Sequence, residues 1–431
     1  MEVTDSENPS TPKQASRVKK MLTMLTLVMA GEAIFFLPFT LPRIFRATFL
    51  DVFAINNLQL GSAFSAYGIV AMVSYFLGGP LADRFAPRYL LGTALLGTSA
   101  GGFVLVTLPP YPVVVGIYAF WGLTTILLFW AALMKATREW GGQEESGQAF
   151  GWLDGGRGLM AAAVGSLGVI LFASMIPAEA EQASLVERQQ AFREVILWFS
   201  AIVAGVGIWV FLMLRNPNSA DSASSPRLNL GGIKRVIGMP GVWLQAIIIV
   251  CAYVAYKGTD DFSLYAREVM KYNEVDSAQI GTLSLWVRPI AAILAGFLAD
   301  RFSTSRMILW SFGFMLVGSL MLASGWFEQG LGVYFMATVV GVSLGIYAMR
   351  GLYFAIMQEA KVPLAVTGSA VGLVSVLGYT PDIFMGPLMG ILLDGNPGPL
   401  GHQYVFWVVA GFALLGILTA LIFRKVNSTH G

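Results

Sequence analysis

Apolar runs of about twenty residues recur along the whole chain, separated by short polar breaks. Twelve can be marked: 21–42, 58–80, 89–108, 113–134, 149–173, 195–214, 242–264, 279–299, 307–327, 331–355, 365–393 and 403–423. Runs of about 20 apolar residues are long enough to cross a bilayer as helices. One polar stretch is longer than the rest, 215–240, with Asn216-Pro217-Asn218-Ser219 and Lys234-Arg235 inside it. It separates two sets of six. The pattern predicts an all-α polytopic membrane protein with a polar tail at 1–20, a six-helix unit at 21–214, the linker, a second six-helix unit at 241–424 and a short tail at 425–431. The tail at 1–20 reads as disordered. The apolar run after it is too long for a signal segment and lacks a small-residue cleavage site, so a retained first helix is expected.

The two units share a signature. Gly79-Pro80-Leu81-Ala82-Asp83-Arg84-Phe85 returns 217 positions later as Gly296-Phe297-Leu298-Ala299-Asp300-Arg301-Phe302. Each copy ends an apolar run and is followed by another. Asp83 and Asp300 are therefore the same position in two halves of a duplicated chain. Duplicated membrane units are the plan of secondary transporters, whose halves rock around a central site.

Composition narrows the picture. Of 431 residues 56% are hydrophobic and 12% charged, against about 25% charged in soluble domains. The net charge of +2 gives no sign of a nucleic-acid partner. Cys251 is the lone cysteine, and His402 and His430 are too few and too peripheral for a metal cluster. No nucleotide-binding loop is visible, and no cofactor or catalytic cluster is expected. Basic residues set the orientation: with the N-terminus in the cytoplasm, seventeen Lys and Arg fall inside and six outside (Arg43, Arg46, Arg188, Arg193, Arg267 and Lys271). Both termini are then expected to be cytoplasmic, in a bacterial inner membrane. The remaining four basic residues, Arg157, Lys257, Arg288 and Arg350, lie within apolar runs, as do the acids Glu32, Asp154, Asp260, Asp261 and Asp382. An intramembrane charge costs at least about 2.5–3.5 kcal/mol and so faces a partner or a wet cavity. Runs 3, 6, 9 and 12 hold no charge and are expected to face lipid.

Twelve helices in two sextets, with Gly-x-Leu-Ala-Asp-Arg at the 2–3 and 8–9 junctions, resemble the major facilitator superfamily over nearly the whole chain. The family loop runs here from Gly79 through Asp83-Arg84 to Arg88, and again from Gly296 through Asp300-Arg301 to Arg306. The resemblance implies a latch: glycines that let helices approach, and carboxylates that bind an Arg or a helix N-terminus. The plain alternative is that Asp83 and Asp300 anchor helix ends at the headgroups. Helix 7, with Tyr253, Tyr256, Lys257, Tyr265 and Glu268, is similar to the organophosphate–phosphate antiporter branch, where a basic residue at the place of Lys257 helps to bind phosphate. That branch's helix-1 arginine is replaced by Phe39, so a monoanion or zwitterion fits better than a sugar phosphate.

Glu32, mid-helix 1, and Asp382, after Gly378-Tyr379-Thr380-Pro381, are candidates for proton coupling or substrate contact. A buried neutral Glu and a buried pair with Arg288 are the respective alternatives. Lys257 is an anion-binding candidate or an internal partner of Asp261, four residues on. Asp260, nearer water, is expected to serve a gate or loop. Asp154 and Arg157 are expected to pair within one helix and, with Arg350, to form an inner gate, a static brace or an anion patch. Tyr253, Trp286 and Tyr379 are expected to line the cavity. The implied function is alternating-access transport of a small polar solute, coupled to protons or to a counter-substrate, with a single chain expected to suffice. The rival readings are a multidrug or lipid exporter and, less consistent with the short polar segments, a membrane sensor.

Overall fold

A computed structural model describes residues 12–141, 146–176, 184–214, 236–327, 330–352, 355–357 and 367–428. Twelve membrane-scale helices occur, with no strand among the described residues: α1 Val18–Ile44, α2 Asn57–Arg84, α3 Pro87–Leu105, α4 Tyr111–Gly141, α5 Ser146–Met175, α6 Leu185–Met213, α7 Pro240–Glu268, α8 Glu274–Phe302, α9 Thr304–Ala323, α10 Gly332–Leu352, α11 Ala370–Gly395 and α12 Pro399–Ser428. All but α3 are long and apolar enough to span by composition alone. In α3, 19 residues rich in Gly, Thr and Ser pack between α4 and α6.

The ends differ from the expected ones for local reasons. The helix leading into α1 starts at Pro12, not after residue 20; proline at a first helical position and the good helix formers of 13–20 explain this. α6 starts at Leu185, ten residues before its apolar run, because Ser184 and Glu187 form a capping box. Glu187, Arg188, Arg193 and Glu194 thus extend the helix beyond its apolar part. Arg88, Arg306, Arg424 and Lys425 likewise sit at the tips of α3, α9 and α12, whose apolar middles carry no Asp, Glu, Lys or Arg. Most of the linker, 215–235, and His430 lie outside the described residues.

Each half packs its six helices in matching fashion. α3 lies on α6 and α4; α9 lies on α12 and α10. The halves meet along α2–α11 and α5–α8. These two seams are uneven along their length. Toward the end holding the 45–56 and 269–273 connections, here called the far end, backbones touch. A Cβ on Gly61 would fall on the Gly386 carbonyl, one on Gly390 on the Leu58 backbone, and one on Gly281 would lie 2.9 Å from the Ile44 Cα. Toward the opposite end, which holds the repeated motif, a Cβ on Gly79, Gly151, Gly155, Gly296 or Gly372 would meet nothing within 4 Å. The close packing expected of Gly79 and Gly296 is therefore absent in this conformation, because the helices splay at the motif end.

Four helices depart from regular α geometry where they line the middle, α4 through a widened stretch at Leu123–Trp130. In α1, Pro38 lacks an N–H, and the turn widens so that Thr40 N–H bonds to the Phe35 carbonyl at 3.2 Å. α7 tightens into a 3₁₀ turn at Thr259–Asp261. α11 restarts at Pro381 after a turn at Tyr379-Thr380. Irregular backbone at membrane depth is tolerated where it is buried in protein or faces a wet cavity.

Candidate functional site

A cavity of about 80 Å³ sits between the halves. Roughly 10–15 Å³ on this measure holds one water, so there is room for several waters or one small solute. Helices α1, α2, α4 and α5 line it from the first half, α7, α8, α10 and α11 from the second. Five cationic side chains face it (Arg43, Arg157, Lys257, Arg288 and Arg350) against two carboxylates, Glu32 and Asp382.

Glu32, 4% exposed, joins the halves. Arg157 Nε of α5 donates to Oε2 at 3.1 Å, and Arg288 Nη1 of α8 donates to Oε1 at 3.0 Å. Asp154 supports both arginines, at 3.4 Å from Arg157 Nη1 and 3.9 Å from Arg288 Nη2. The expected Asp154–Arg157 pair is present, with Asp154 half exposed. The pairing of Asp382 with Arg288 that the sequence left open does not form; the cation of Asp382 is Lys257.

Lys257, 1% exposed, lies 3.3 Å from Asp260 and 3.5 Å from Asp382. Its alternative partner Asp261 turns away. The Lys257 ammonium also sits against two rings of the other half, 4.8 Å from Phe39 and 4.9 Å from Phe64. Where the organophosphate branch has an arginine, this chain offers a ring to the same lysine, a favourable cation–π contact. Tyr253 Oη donates to Asp382 Oδ2 at 3.1 Å. Tyr253, Tyr379 and Tyr75 form a contiguous aromatic wall, with centroids 5.0 and 5.9 Å apart.

Above the cavity, toward the far end, Arg43 closes the site. Its Nε donates to Asp260 Oδ1 at 2.6 Å, its Nη1 donates to Tyr256 Oη at 2.9 Å, and Ser263 Oγ donates to its carbonyl at 2.8 Å. Arg43 and Arg350 both stack on the Tyr256 ring, at 4.5 and 4.1 Å. Arg46 reaches the Asp260 carbonyl and the Asn57 side chain. Further out, Glu274 accepts from Thr48 and Arg188 and pairs with Arg267 at 2.9 Å, and Arg188 also holds Asp51. Asp394, at the end of α11, caps the N-terminus of α2, accepting from Asn57 N–H at 3.1 Å and Leu58 N–H at 2.7 Å.

Several expectations are corrected here. Asp260 is buried in an ion pair, not close to water. Arg43 and Arg46 are buried, not loop residues. His402 is fully buried between Asp261 and Glu268, not peripheral. Trp286 does not line the cavity: it lies 41% exposed on the outer side of α8 and donates to Ser166 Oγ of α5 at 2.9 Å. Asp83, Arg84 and Arg301 are exposed and Arg88 half-buried at the splayed end, while the side chain of Asp300 lies outside the described residues. The signal for Arg43 was available twice. It follows Glu32 by eleven residues, about three helical turns, and the duplication offset of 217 carries Arg43 onto Asp260.

The buried guanidinium nitrogens that lack a hydrogen-bond partner among the described residues include Nη2 of Arg43 and Nη2 of Arg288. Unsatisfied buried donors are costly, and these belong to cavity-lining side chains. The arrangement holds a surplus of positive charge at the middle of a membrane protein, beside a tyrosine wall.

The Major Facilitator Superfamily model matches residues 21–384. The inner membrane protein YihN of Escherichia coli (strain K12) is 27% identical over 416 residues, covering 94% of this chain and 96% of that one. The probable nitrate/nitrite antiporter NarK1 of Thermus thermophilus is 21% identical over 402 residues, 88% and 87% of the two chains. Among solved structures, a mutant of the nucleoside transporter NupG superposes with a TM-score of 0.70 at 13% identity, covering 94% of this chain and 99% of the other, a likeness of fold.

Proposed function

The chain belongs to the Major Facilitator Superfamily, and on that premise we propose that it moves a small organic anion or zwitterion across the inner membrane by alternating access. The observation that carries this reading is the lining of five cations against two carboxylates, with one carboxylate, Glu32, clamped by arginines from opposite halves. A substrate carboxylate, sulfonate or phosphate takes the place of Glu32 on Arg157 or Arg288, and the displaced Glu32 is neutralised by a proton or the site is refilled by a counter-anion. Either way net charge in the cavity stays low, which a low-dielectric site demands. A multidrug or lipid exporter needs an apolar cavity, and the charges here disfavour it. The name of the Thermus relative, a nitrate/nitrite antiporter, is consistent with anion recognition.

The excess of basic residues at the motif end supports a cytoplasmic position for that end. In that orientation the splayed motif end is the cytoplasmic opening and the tightly packed far end is the periplasmic closure. Asp83, Arg84, Arg88, Asp300 and Arg301 are the latch that engages when the halves rock the other way.

Purified protein is screened by thermal stabilisation against carboxylates, sulfonates, organic phosphates and amphipathic cations, since a ligand of the native state raises apparent stability; hits are tested for uptake in proteoliposomes. Arg157→Gln and Arg288→Gln are each expected to weaken an anionic hit about 10- to 100-fold, the worth of a charge-assisted hydrogen bond. Stabilisation by amphipathic cations alone overturns the anion reading. Uptake that ignores a pH gradient, and persists in both Glu32→Gln and Asp382→Asn, rules out proton coupling through these carboxylates.

A further inference from the structure

Behind the cavity, wholly within the second half, His402 of α12 is wedged between two carboxylates of α7. Its Nδ1 lies 2.7 Å from Asp261 Oδ2 and its Nε2 lies 3.1 Å from Glu268 Oε2. The His402 and Asp261 side chains have no exposed surface, whereas Glu268 is 38% exposed at the far end. Two ring-nitrogen-to-carboxylate bonds need two bridging protons. A neutral imidazole brings one, and ionised carboxylates bring none. The cluster as built therefore holds one proton taken from solution, whichever atom carries it. No other charged group is seen to pair with the ring among the described residues. Tyr265, also of α7, lies edge-on to it. α9 and α10 reach the pocket through Tyr265, by the Leu322 carbonyl that accepts from its hydroxyl and by Phe335 stacked on its ring.

Asp261 is the neighbour of Asp260 on the tight turn Thr259–Asp261. The two carboxylates point to opposite sides. Asp260 crosses to Arg43 of the first half and holds the far end shut; Asp261 turns back to His402 in its own half. Removing the shared proton leaves an acceptor nitrogen facing a carboxylate in a dry pocket. Asp261 Oδ1 already has no hydrogen-bond partner there. When the remaining ring proton sits on Nε2, which faces the half-exposed Glu268, the bare Nδ1 faces Asp261 in the fully buried part of the pocket, and a movement of the turn, which carries Asp260 with it, relieves that contact.

We propose that Asp261, His402 and Glu268 form a proton-binding site separate from the substrate cavity, loaded through Glu268, and that its proton holds the far end closed. Loss of the proton releases the Thr259–Asp261 turn and weakens the Asp260–Arg43 closure. The site is sensitive to the pH on the side where Glu268 emerges, the periplasm in the orientation proposed above.

The test needs no substrate, so it stands or fails independently of the anion reading. Nitroxide labels are placed at the exposed far-end positions Val186→Cys and Val333→Cys, one in each half, in a Cys251→Ser background. The distance between them is followed by pulsed electron paramagnetic resonance from about pH 5 to about pH 9, the range bracketing histidine titration. The unaltered cluster is expected to raise its open-to-closed ratio toward alkaline pH, by at most about tenfold per pH unit for one linked proton. Glu268→Gln is the deciding variant. An amide N–H satisfies His402 Nε2 with no proton from solution, so the far end is expected to stay closed throughout. His402→Gln is expected to lose the response and to favour the open state. Asp51, at the same end, has its carboxyl pushed up by burial and by Glu274, and it remains in both variants. A wild-type ratio that does not change with pH, or a Glu268→Gln profile that matches wild type, overturns the proposal. Should His402→Gln fail to fold, Glu268→Gln decides alone.

Discussion

Lys257 shows how one side chain takes its meaning from three elements. Its ammonium is neutralised by Asp260 and Asp382 and flanked by Phe39 and Phe64 from the other half. Asp382 keeps only Tyr253 when the lysine is removed, among the partners described above. Lys257→Ala is therefore expected to destabilise the protein toward the lower end of about 3–5 kcal/mol, the cost of orphaning a buried charge, because Asp382 faces the wet cavity. Lys257→Ala with Asp382→Asn should recover most of that loss in a thermal-unfolding measurement; a double variant no more stable than the single one refutes the pairing. Glu32 makes the opposite case. It competes with an anion for Arg157 and Arg288, so Glu32→Gln is expected to tighten anion binding about tenfold, within the usual range of coupling between sites. Calorimetric titration with any anion found in the screen checks this, and unchanged affinity contradicts the displacement of Glu32.

At the scale of elements, α2 and α11 behave as a pair with a carboxylate at each end. Asp394, closing α11, caps the first turn of α2 at the far end. Asp83, closing α2, is exposed at the splayed end. A helix N-terminus favours an anion, and the cap is worth about 0.5–2 kcal/mol. Asp394→Ala is expected to shift the population toward the far-end-open state by roughly 2- to 30-fold, read by the same pair of spin labels. The seam itself has less tolerance. A Cβ on Gly61 falls on the Gly386 carbonyl, so Gly61→Ala is expected to reach the membrane folded but fail to close the far end, and transport in proteoliposomes should be lost. Transport at the wild-type rate would show that this contact is not needed for the cycle.

At the scale of the molecule, duplication and asymmetry divide the work. The offset of 217 that carries Asp83 onto Asp300 also carries Arg43 onto Asp260, and these two equivalent positions meet in an ion pair. Equivalent residues touch only near the axis relating the halves, so one arginine and one aspartate close the far end from both sides. Exchanging them, Arg43→Asp with Asp260→Arg, is expected to restore more far-end closure than either single change does. It should fall short of wild type, because the new arginine stands beside Lys257. The twelve spans, the two sextets and the intramembrane charges facing inward were legible in the chain, since the bilayer imposes length and apolarity on every crossing helix and duplication repeats its motif. Glu32, Lys257, Asp382 and Arg157 could be singled out for the same reason: a charge in an apolar run has few places to go. Their partners were not legible. Arg43 and Arg46 read as loop residues because they stand at the end of an apolar run, and His402 looked peripheral beside a short turn. Trp286 looked central but faces outward. Depth along a helix follows from the sequence, whereas rotation about its axis, and the turns at Phe36–Thr40 and Thr259–Asp261 that redirect neighbouring side chains, follow from how the helices pack. The sequence by itself determined a duplicated twelve-helix membrane protein with charges at its centre. Only the tertiary structure decided which charges pair, because pairing across a gap of 125 to 256 residues is set by the contact of two helix faces, and no local pattern records it.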